Sequence, residues 1–350
     1  MALATTYNTA GNREDLTDII AEVSPRGTPV YSSIKKTKAQ AALHEWQMDK
    51  LLPLNLAAVP EGNDVTSYNN MSKQRTRQGV HLQQLREDYM VSKKQYLVRT
   101  AGVANEFDRQ KVVAIQNLIR DIESVICSTQ DDTTENGTSG DTTRGYLSWV
   151  SSTAQTGSNP VNSLYLTPAS SILSGTTSGS GTTVLSTVTE DAFKGLLESI
   201  YTQSGETSDH FRAVVAPRLK KQIATFTKAS VVSSTTLDTR RQNIDGNEKR
   251  LVDGVDIYDA DWGIVTIEPS LFIGRTAGTY SVLDEAALAS PNYNPLVGGM
   301  VFRDDLLELA MLQDIMSEEN PDLGGGRRGF VDVIFGMCVL NPLGVGKIVA

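Results

Sequence analysis

Cysteine and histidine are scarce in this chain, which has two cysteines and three histidines in 350 residues. Cys127 and Cys338 each lie in apolar surroundings, and the sequence contains neither a CxxC nor an HxxxH spacing. Structural metal sites need several such ligands at short spacings, so we expect no metal site. Two widely separated cysteines predict buried free thiols in a reducing compartment and not a disulfide framework.

Positive charge is also scarce. The chain has 32 lysines and arginines against 41 aspartates and glutamates, which gives a net charge of −9 and a pI near 5.0. A protein that grips nucleic acid gains affinity when its Lys and Arg side chains displace counterions from the phosphates. The composition therefore excludes gripping nucleic acid as the main task, but it allows a protein that lies near nucleic acid without holding it.

Long apolar runs are absent as well. No run approaches about 18 residues, so we expect no segment that spans a membrane. The opening MALATTYNTAGNRED lacks a basic region followed by an apolar one, so we expect no signal peptide. A hydrophobic fraction of 39% and a charged fraction of 21% still predict a folded protein with a real core. The length suits one large domain or two ordinary ones.

Signatures of catalysis are missing too. The sequence has no GxSxG nucleophile elbow and no P-loop, and its histidines lie far apart. The Gly-rich run at 324–329 resembles a phosphate cradle, but it precedes a strand pattern, so we interpret it as a hairpin loop. Asp256, Asp259 and Asp261 suggest either a cation site or, as we expect, solvated residues at a strand end. We predict no catalytic, cofactor-binding or metal-binding residues and a protein that is not an enzyme.

The longest periodic stretch runs from Gly102 to Cys127 and predicts an amphipathic helix, roughly 39 Å long at the usual rise per residue. Its apolar stripe consists of Val103, Phe107, Val112, Ile115, Leu118, Ile119, Ile122, Val125 and Ile126. Its opposite, charged face consists of Glu106, Asp108, Arg109, Lys111, Arg120, Asp121 and Glu123. A helix of this length needs other elements along its whole apolar side.

Two alternating segments before this helix, at 44–49 and 80–98, predict strands. The span between Pro60 and Gly79 has few large apolar residues and cannot bury enough apolar surface to order itself. It carries three basic side chains, Lys73, Arg75 and Arg77. We therefore predict a projecting β-ribbon with a basic tip, stabilised by lying on a neighbouring subunit.

The rest of the chain mixes helices and strands without a regular βαβ alternation, which favours the α+β class. Residues 128–188 are rich in Ser, Thr and Gly and predict surface loop, apart from a docking patch at 144–150. Thr189 is a predicted N-cap, and Pro217 opens another predicted helix. The remaining predicted segments are a helix at 15–23, a loop at 227–250, and strands at 211–216, 251–258, 263–268, 280–284, 300–311 and 330–340.

A mobile arm at 1–14, a projecting ribbon and the lack of an active site favour a self-assembling structural protein. Arms and ribbons that cannot fold on one subunit suit head-to-tail contacts, which close into rings. Many modest contacts per subunit then add through multivalency.

Several stretches resemble, in their order and spacing, the major capsid proteins of tailed bacteriophages with the Hong Kong 97-type fold. They are Arg13–Ile34, Leu43–Leu51, Val59–Asn63, Phe107–Ile126, Thr143–Gly145 with Trp149, Leu251–Val265 and Cys338–Ile348. The resemblance implies an N-terminal arm at 1–37, an extended β-ribbon loop at 38–100 and a peripheral domain with a spine helix at 101–188, where the match is weakest at 151–188. It also implies an axial domain at 189–300 and closing strands at 301–350 that return to the peripheral domain.

The resemblance further implies a structural protein that forms hexamers and pentamers of a viral head around double-stranded DNA, which it encloses without sequence-specific binding. The implied partners are copies of itself, a portal, a scaffold that is separate or already removed, and decoration proteins, with no cofactor and no membrane. The implied location is the virion, after assembly in the host bacterial cytoplasm. Two alternatives stay open: an encapsulin-like nanocompartment shell that encloses a cargo enzyme, and a hydrolase or carbohydrate-binding protein.

As an interface hypothesis, the basic residues Lys73, Arg75 and Arg77 of one subunit meet the acidic face of a neighbour's spine helix at Glu106 or Asp108. The negative net charge fits the implied role of a head shell around DNA, because a negative wall leaves enclosed DNA free to depart.

Overall fold

The computed structural model describes residues 27–98, 102–103, 105–174, 188–204, 210–224, 226, 255–273 and 298–349. The predicted arm, the helix at 15–23, the loop at 227–250 and the strand at 280–284 lie outside these residues. Within them the helices are α1 (Pro29–Ser33), α2 (Lys93–Leu97), α3 (Glu106–Ile126), α4 (Tyr146–Trp149), α5 (Glu190–Ser204) and α6 (Pro217–Ala224). The strands described are β1 (Lys35–Lys38), β2 (Leu43–Met48), β3 (Thr76–His81), β4 (Gln83–Ser92), β5 (Ile172–Ser174), β6 (His210–Val215), β7 (Ile257–Ala260), β8 (Gly263–Pro269), β9 (Gly299–Phe302), β10 (Leu307–Asn320), β11 (Gly326–Val339) and β12 (Gly346–Val349).

These strands form three sheets in the described part of the chain. The largest has six strands in the order β5-β12-β9-β6-β8-β7, and the second has four in the order β1-β10-β11-β4. The third joins β2 to β3, antiparallel, with Leu43 opposite His81 and Met48 opposite Thr76. In the six-stranded sheet β6 runs parallel to β8 and antiparallel to β9. This mixture of directions confirms the predicted α+β class.

The chain divides into two compact units. The described residues of the smaller unit lie in Arg86–Leu118 and Met316–Asp332. Those of the larger unit lie in Gly27–Leu85, Ile119–Ile315 and 333–349. Helix α3 and strands β4, β10 and β11 have residues in both units.

In the larger unit, α5 and α6 pack on one face of the six-stranded sheet, against Phe211, Ala213 and Val215 of β6. Thr189 caps α5 as predicted, since its Oγ1 accepts a hydrogen bond from the Ala192 N–H at 3.2 Å. The helix residues buried in this core are Phe193, Leu196, Leu197, Ile200, Leu219 and Ile223. The helices predicted after Thr189 and from Pro217 are therefore confirmed, and Tyr201 of α5 is exposed.

In the smaller unit, an arginine lies between aromatic rings. The Arg327 guanidinium lies 4.4 Å from the ring centre of Phe107 and 5.3 Å from that of Tyr96, and its Nη2 donates to Glu319 at 2.9 Å. Stacking on two rings while paired with a carboxylate fixes this side chain in one geometry.

The Gly-rich run is a hairpin connection between β10 and β11, as predicted. The Asp322 carboxylate accepts hydrogen bonds from the N–H groups of Gly324 at 2.7 Å and Gly326 at 3.3 Å. Gly326 has a φ of +135°, and a Cβ at this position would collide with the carbonyl oxygen of Val91. Only glycine tolerates both this positive φ and this close approach of the Val91 carbonyl.

Helix α3 begins at Glu106 and not at Gly102, because Gly102 has a left-handed φ of +74°. Asn105 starts the helix instead, with its Oδ1 accepting from the Phe107 N–H at 3.0 Å. Val112, which the pattern placed in the apolar stripe, is exposed. The buried apolar residues of the helix are Phe107, Ala114, Leu118, Ile122, Val125 and Ile126.

Glu123, which the pattern placed on the charged face, is completely buried. Its two carboxylate oxygens accept hydrogen bonds from the first turn of α1, from the Val30 N–H at 3.1 Å and the Tyr31 N–H at 2.7 Å. Burial raises the Glu123 pKa from 4.5 to about 7, although these two hydrogen bonds oppose the shift. Burial, together with the Glu123 charge, also raises the pKa of the Cys127 thiol. Cys127 and Cys338 are both buried and free, as predicted.

Several strand boundaries differ from the predictions, among them the following three. The return strand of the ribbon, β3, begins at Thr76, inside the span predicted to lack structure. The predicted strand at 80–98 ends at Ser92, whose Oγ accepts from the Gln95 N–H and caps α2. The predicted strand at 300–311 is divided between β9 and β10, because Arg303 pairs with Asp305 and the chain turns there.

The buried carboxyl group predicts a pH-dependent stability. A carboxyl whose pKa is higher in the folded chain than in the unfolded chain destabilises the fold as it ionises. The contribution of Glu123 to stability is therefore greatest below pH 4.5 and is lost as the pH rises through about 7. In chemical denaturation, the unfolding free energy of the wild type relative to Glu123→Gln should fall by about 3 kcal/mol between pH 5 and pH 8. Glu106→Gln is the control and should keep the wild-type profile; parallel profiles for wild type and Glu123→Gln would contradict the assignment.

Candidate assembly surface

The connection between β2 and β3 exposes an unusual amount of apolar surface. Residues 49–75 contain no helix or strand. Leu54 and Leu56 are each 90% exposed. We call residues 49–75 the exposed loop. Its other exposed large apolar side chains are Leu51, Val59, Val65, Tyr68 and Met71. Soluble monomers rarely expose apolar side chains in such a concentration, so this loop is a candidate interaction surface.

Sequence reasoning found part of this surface and missed the rest. It noted that the span between Pro60 and Gly79 has few large apolar residues, which are Val65, Tyr68 and Met71, but it overlooked the leucines of the run LLPLNLAAVP at 51–60. The available signal was an apolar run that contains Pro53 and Pro60 and has neither helical nor strand periodicity. Such a run cannot join a core as a regular element.

The predicted basic residues lie at the root of the exposed loop and have acidic neighbours in the same chain. Arg75 Nε and Nη2 each lie 3.0 Å from Asp49 Oδ2, and Arg77 lies 3.4 Å from Glu45. The Lys73 side chain is exposed. These surface ion pairs close the root of the exposed loop but contribute little to stability by themselves.

The predicted acidic residues, Glu106 and Asp108, lie in the first turn of α3. Glu106 accepts a hydrogen bond from Gln110 Nε2 at 3.0 Å, and Asp108 accepts one from Asn105 Nδ2 at 2.6 Å. Acidic side chains are favourable at this end of a helix because they face its unpaired N–H groups. Their pairing with the basic residues of a second copy stays a prediction.

A buried aspartate anchors the base of the ribbon. Asp132 accepts hydrogen bonds from the His81 backbone N–H at 2.9 Å and from the Asn159 backbone N–H and Nδ2 at 3.1 and 2.9 Å. His81 Nδ1 lies 3.1 Å from both Asp132 oxygens. Since carboxylate oxygens accept, a hydrogen on His81 Nδ1 suits this contact. The end of β3 is thereby fixed to the segment that follows α3.

The neighbouring Asp131 orders the same segment. Its carboxylate accepts from Arg144 Nε at 2.8 Å and from the Gly157 N–H at 2.9 Å. Burial disfavours the charge, but these bonds and the Asp132 N–H outweigh it and lower the pKa of Asp131. Residues 133–140 and 151–160 contain no helix or strand and are mostly exposed, as predicted for a surface loop, whereas Asp132 and Thr143 beside them are completely buried. Residues 175–187 lie outside the described residues.

A stack of rings completes the base. The ring centres of Trp46 in β2 and Trp149 in α4 are 5.6 Å apart, and the Arg144 guanidinium lies 4.8 Å from the Trp149 ring centre. Trp149 Nε1 donates to the Met337 carbonyl at 3.0 Å, and Tyr165 OH donates to the Gln74 carbonyl at 2.8 Å. The predicted docking patch at 144–150 is confirmed, and it docks beneath the ribbon.

Other kinds of site find no support in the described residues. Nowhere in them do three or more His, Cys, Asp or Glu side chains converge as a metal would require. The helices of that part are also too short or too polar to cross a bilayer.

The fold is that of capsid proteins. The chain superposes on the capsid of an empty GTA particle with a TM-score of 0.59 at 10% identity, covering 99% of this chain and 97% of that one. The capsid of cyanophage Pam1 gives a TM-score of 0.56 at 14% identity, with the same coverages of 99% and 97%. The mature capsid of bacteriophage PhiM1 gives 0.55 at 8% identity, with coverages of 99% and 94%. The predicted Hong Kong 97-type fold is confirmed.

The chain belongs to the SU10 major capsid protein family, whose model matches residues 3–350. No curated protein matches it as a sequence relative. The family confirms the predicted function of a structural protein of the viral head shell, located in the virion, and implies self-association into shells. Neither the nanocompartment nor the hydrolase alternative is favoured.

The base of the ribbon predicts a large effect from one buried side chain. Asp132→Ala leaves several buried donors unpaired and should lower the unfolding free energy by about 3–5 kcal/mol. Hydrogen exchange should accelerate first in β3 and at Asn159. Asp256→Ala is the matched control: Asp256 is 81% exposed and pairs with Lys220, so its loss should cost less than about 1 kcal/mol. Equal costs for the two variants would contradict the anchoring role.

Proposed function

We propose that copies of this chain form hexamers and pentamers that close into a head shell around double-stranded DNA. The exposed loop of each copy lies on a neighbouring copy. The observation that carries the proposal is the row of large apolar side chains from Leu51 to Met71 that the isolated chain leaves exposed. Covering them removes apolar area from water, which favours association.

Each region of the chain has a proposed place in the shell subunit. The proposed shell subunit has five parts: the arm (1–37), the ribbon loop (38–100), the peripheral region (101–188), the axial domain (189–300) and the closing strands (301–350). The chain performs no catalysis and needs no cofactor. Assembly takes place in the host bacterial cytoplasm, with portal, scaffold and decoration proteins as further partners.

DNA is enclosed without being gripped. A net charge of −9 leaves too few cations to neutralise phosphates over the inner wall. A like-charged wall repels the DNA, so the genome stays free to leave.

Apolar contacts predict the outcome of polar substitutions in the exposed loop. Purified wild-type chain, viewed by negative-stain microscopy, should show five- and six-fold rings or closed shells. Leu54→Ser with Leu56→Ser should reduce particle yield at least tenfold. Since both side chains are already in water in the single chain, the free energy of unfolding of the unassembled chain should stay within about 0.5 kcal/mol of the wild type. Leu164→Ser, at a residue 50% exposed elsewhere, is the control and should assemble. Normal shells from the double variant would contradict the proposal.

The predicted ionic contact needs a test that separates it from the pairs within the ribbon. Reversing Arg75 and Arg77 to Glu should impair assembly, but it also breaks their pairs with Asp49 and Glu45. Adding Glu45→Arg and Asp49→Arg restores opposite charges inside the ribbon. If the arginines act on a neighbour, this four-fold variant should still assemble poorly, as measured by particle yield in sedimentation.

Further reversal of Glu106 and Asp108 to Lys should then recover particles, because the contact between copies regains opposite charges. Recovery from the four-fold variant alone would confine Arg75 and Arg77 to a role within the ribbon and overturn the interface hypothesis.

A further inference from the structure

One dipeptide of the larger unit carries a chemistry that the shell function does not use. Asn136-Gly137 is the sole Asn-Gly pair in the sequence. It lies at the exposed tip of a loop whose ends are joined by Thr133 and Thr142. Their backbone groups exchange hydrogen bonds at 3.3 and 3.0 Å, and their hydroxyls lie 2.7 Å apart. The loop is thus held at its base while its tip is in water.

The Asn136 side chain is held by its carbonyl oxygen. Oδ1 accepts hydrogen bonds from the N–H groups of Thr138 at 3.0 Å and Ser139 at 2.8 Å. Both partners are donors, so the oxygen and not the amide nitrogen faces them. Gly137 has a φ of +79°, and a Cβ placed there would meet nothing within 4 Å. The backbone nitrogen of Gly137 is therefore unshielded by any side chain of its own residue.

We propose that Asn136 is a site of spontaneous deamidation through a cyclic imide. Solvent base removes the Gly137 amide proton, and the nitrogen attacks Cγ of Asn136. The N–Cγ bond forms, Nδ2 takes a proton from solvent as the Cγ–Nδ2 bond breaks, and ammonia leaves. Water then opens the ring at either carbonyl and gives aspartate or isoaspartate. No oxidant or reductant is needed, and each conversion takes the net charge of the chain from −9 to −10.

The two hydrogen bonds to Oδ1 favour this reaction. Negative charge develops on Oδ1 as the nitrogen adds, and two backbone N–H groups already point at that oxygen. Donors aimed at a developing oxyanion stabilise the transition state more than the ground state. The aspartate product keeps the same acceptor for both N–H groups, with a full charge that strengthens the bonds.

The exposed loop supplies two internal controls. Asn55 Oδ1 accepts from the Ala57 N–H at 3.1 Å, and Asn70 Oδ1 accepts from the Ser72 N–H at 3.1 Å. Both asparagines are exposed, but Leu56 and Met71 follow them instead of glycine. Like Asn136, each of them is exposed to solvent and accepts a hydrogen bond from a backbone N–H. They differ from Asn136 in the following residue, whose nitrogen must attack.

The test incubates the unassembled full-length folded chain, separated from any particles by sedimentation, at pH 7 and pH 9. Each asparagine is followed by peptide mass spectrometry, with enzymatic methylation to count isoaspartate. Asn136 should convert faster than Asn55 and Asn70, on the order of tenfold or more, because glycine reaches the attack geometry most easily. The rate should rise with pH. Asn136→Gln should abolish the product, and Gly137→Ala should slow it.

Two results would overturn the proposal. One is a folded chain in which Asn136 converts no faster than Asn55 and Asn70 while urea-unfolded chain converts readily at Asn136, since the fold then protects the site. The other is an unchanged rate in Gly137→Ala chains whose fold is intact by circular dichroism, since the attack then does not depend on glycine.

Discussion

The hydrogen bonds of two consecutive carboxylates, Asp131 and Asp132, fix the part of the chain from which the exposed loop projects. Asp132 binds His81, 51 residues upstream, and Asn159, 27 residues downstream. Asp131 binds Arg144 and the Gly157 N–H. The intervening segment is too rich in Ser, Thr and Gly to be ordered by an apolar core. Its order depends on polar networks, in which the loss of one partner leaves the other polar groups unpaired. The end of β3 and the segment after α3 therefore become ordered together.

Glu123 uses the same kind of contact with the opposite electrostatic result. Burial dominates there, because two N–H donors from α1 do not compensate for the loss of water, and the Glu123 pKa rises to about 7. Asp131 keeps partial solvent access and gains an arginine, so its pKa falls. Both carboxylates connect distant segments, but only Glu123 makes that connection sensitive to pH near neutrality.

Periodicity predicted the elements that bury an apolar face and failed where polar contacts decide. The helices around Phe193 and Leu219 follow from spacing and from Thr189 and Pro217 as start signals. Glu123 was misplaced because a charge is read as exposed unless its partners are known, and these partners lie more than 90 residues away. The same limit hid the Asp132 network. The start of α2 at Ser92 could have been predicted from the sequence, since serine before a helical turn is a common N-cap. Family membership rested on the order of many short stretches, which no single contact reveals.

The contrast between a fixed base and an uncovered loop underlies the assembly that we propose. At the base, Trp46 packs against the ring of Trp149, and Trp149 and His81 have hydrogen-bond partners within the chain. In the exposed loop, by contrast, Leu54 and Leu56 are exposed to water. Fully burying a leucine is worth about 1.5–3 kcal/mol, so a few such residues supply a useful contact but not a permanent dimer. A closed shell repeats that contact around every subunit, which turns modest affinities into a stable particle. The ion pairs of Arg75 and Arg77 matter here because they neutralise charges at the loop's root that would otherwise have to be desolvated as the apolar residues are covered.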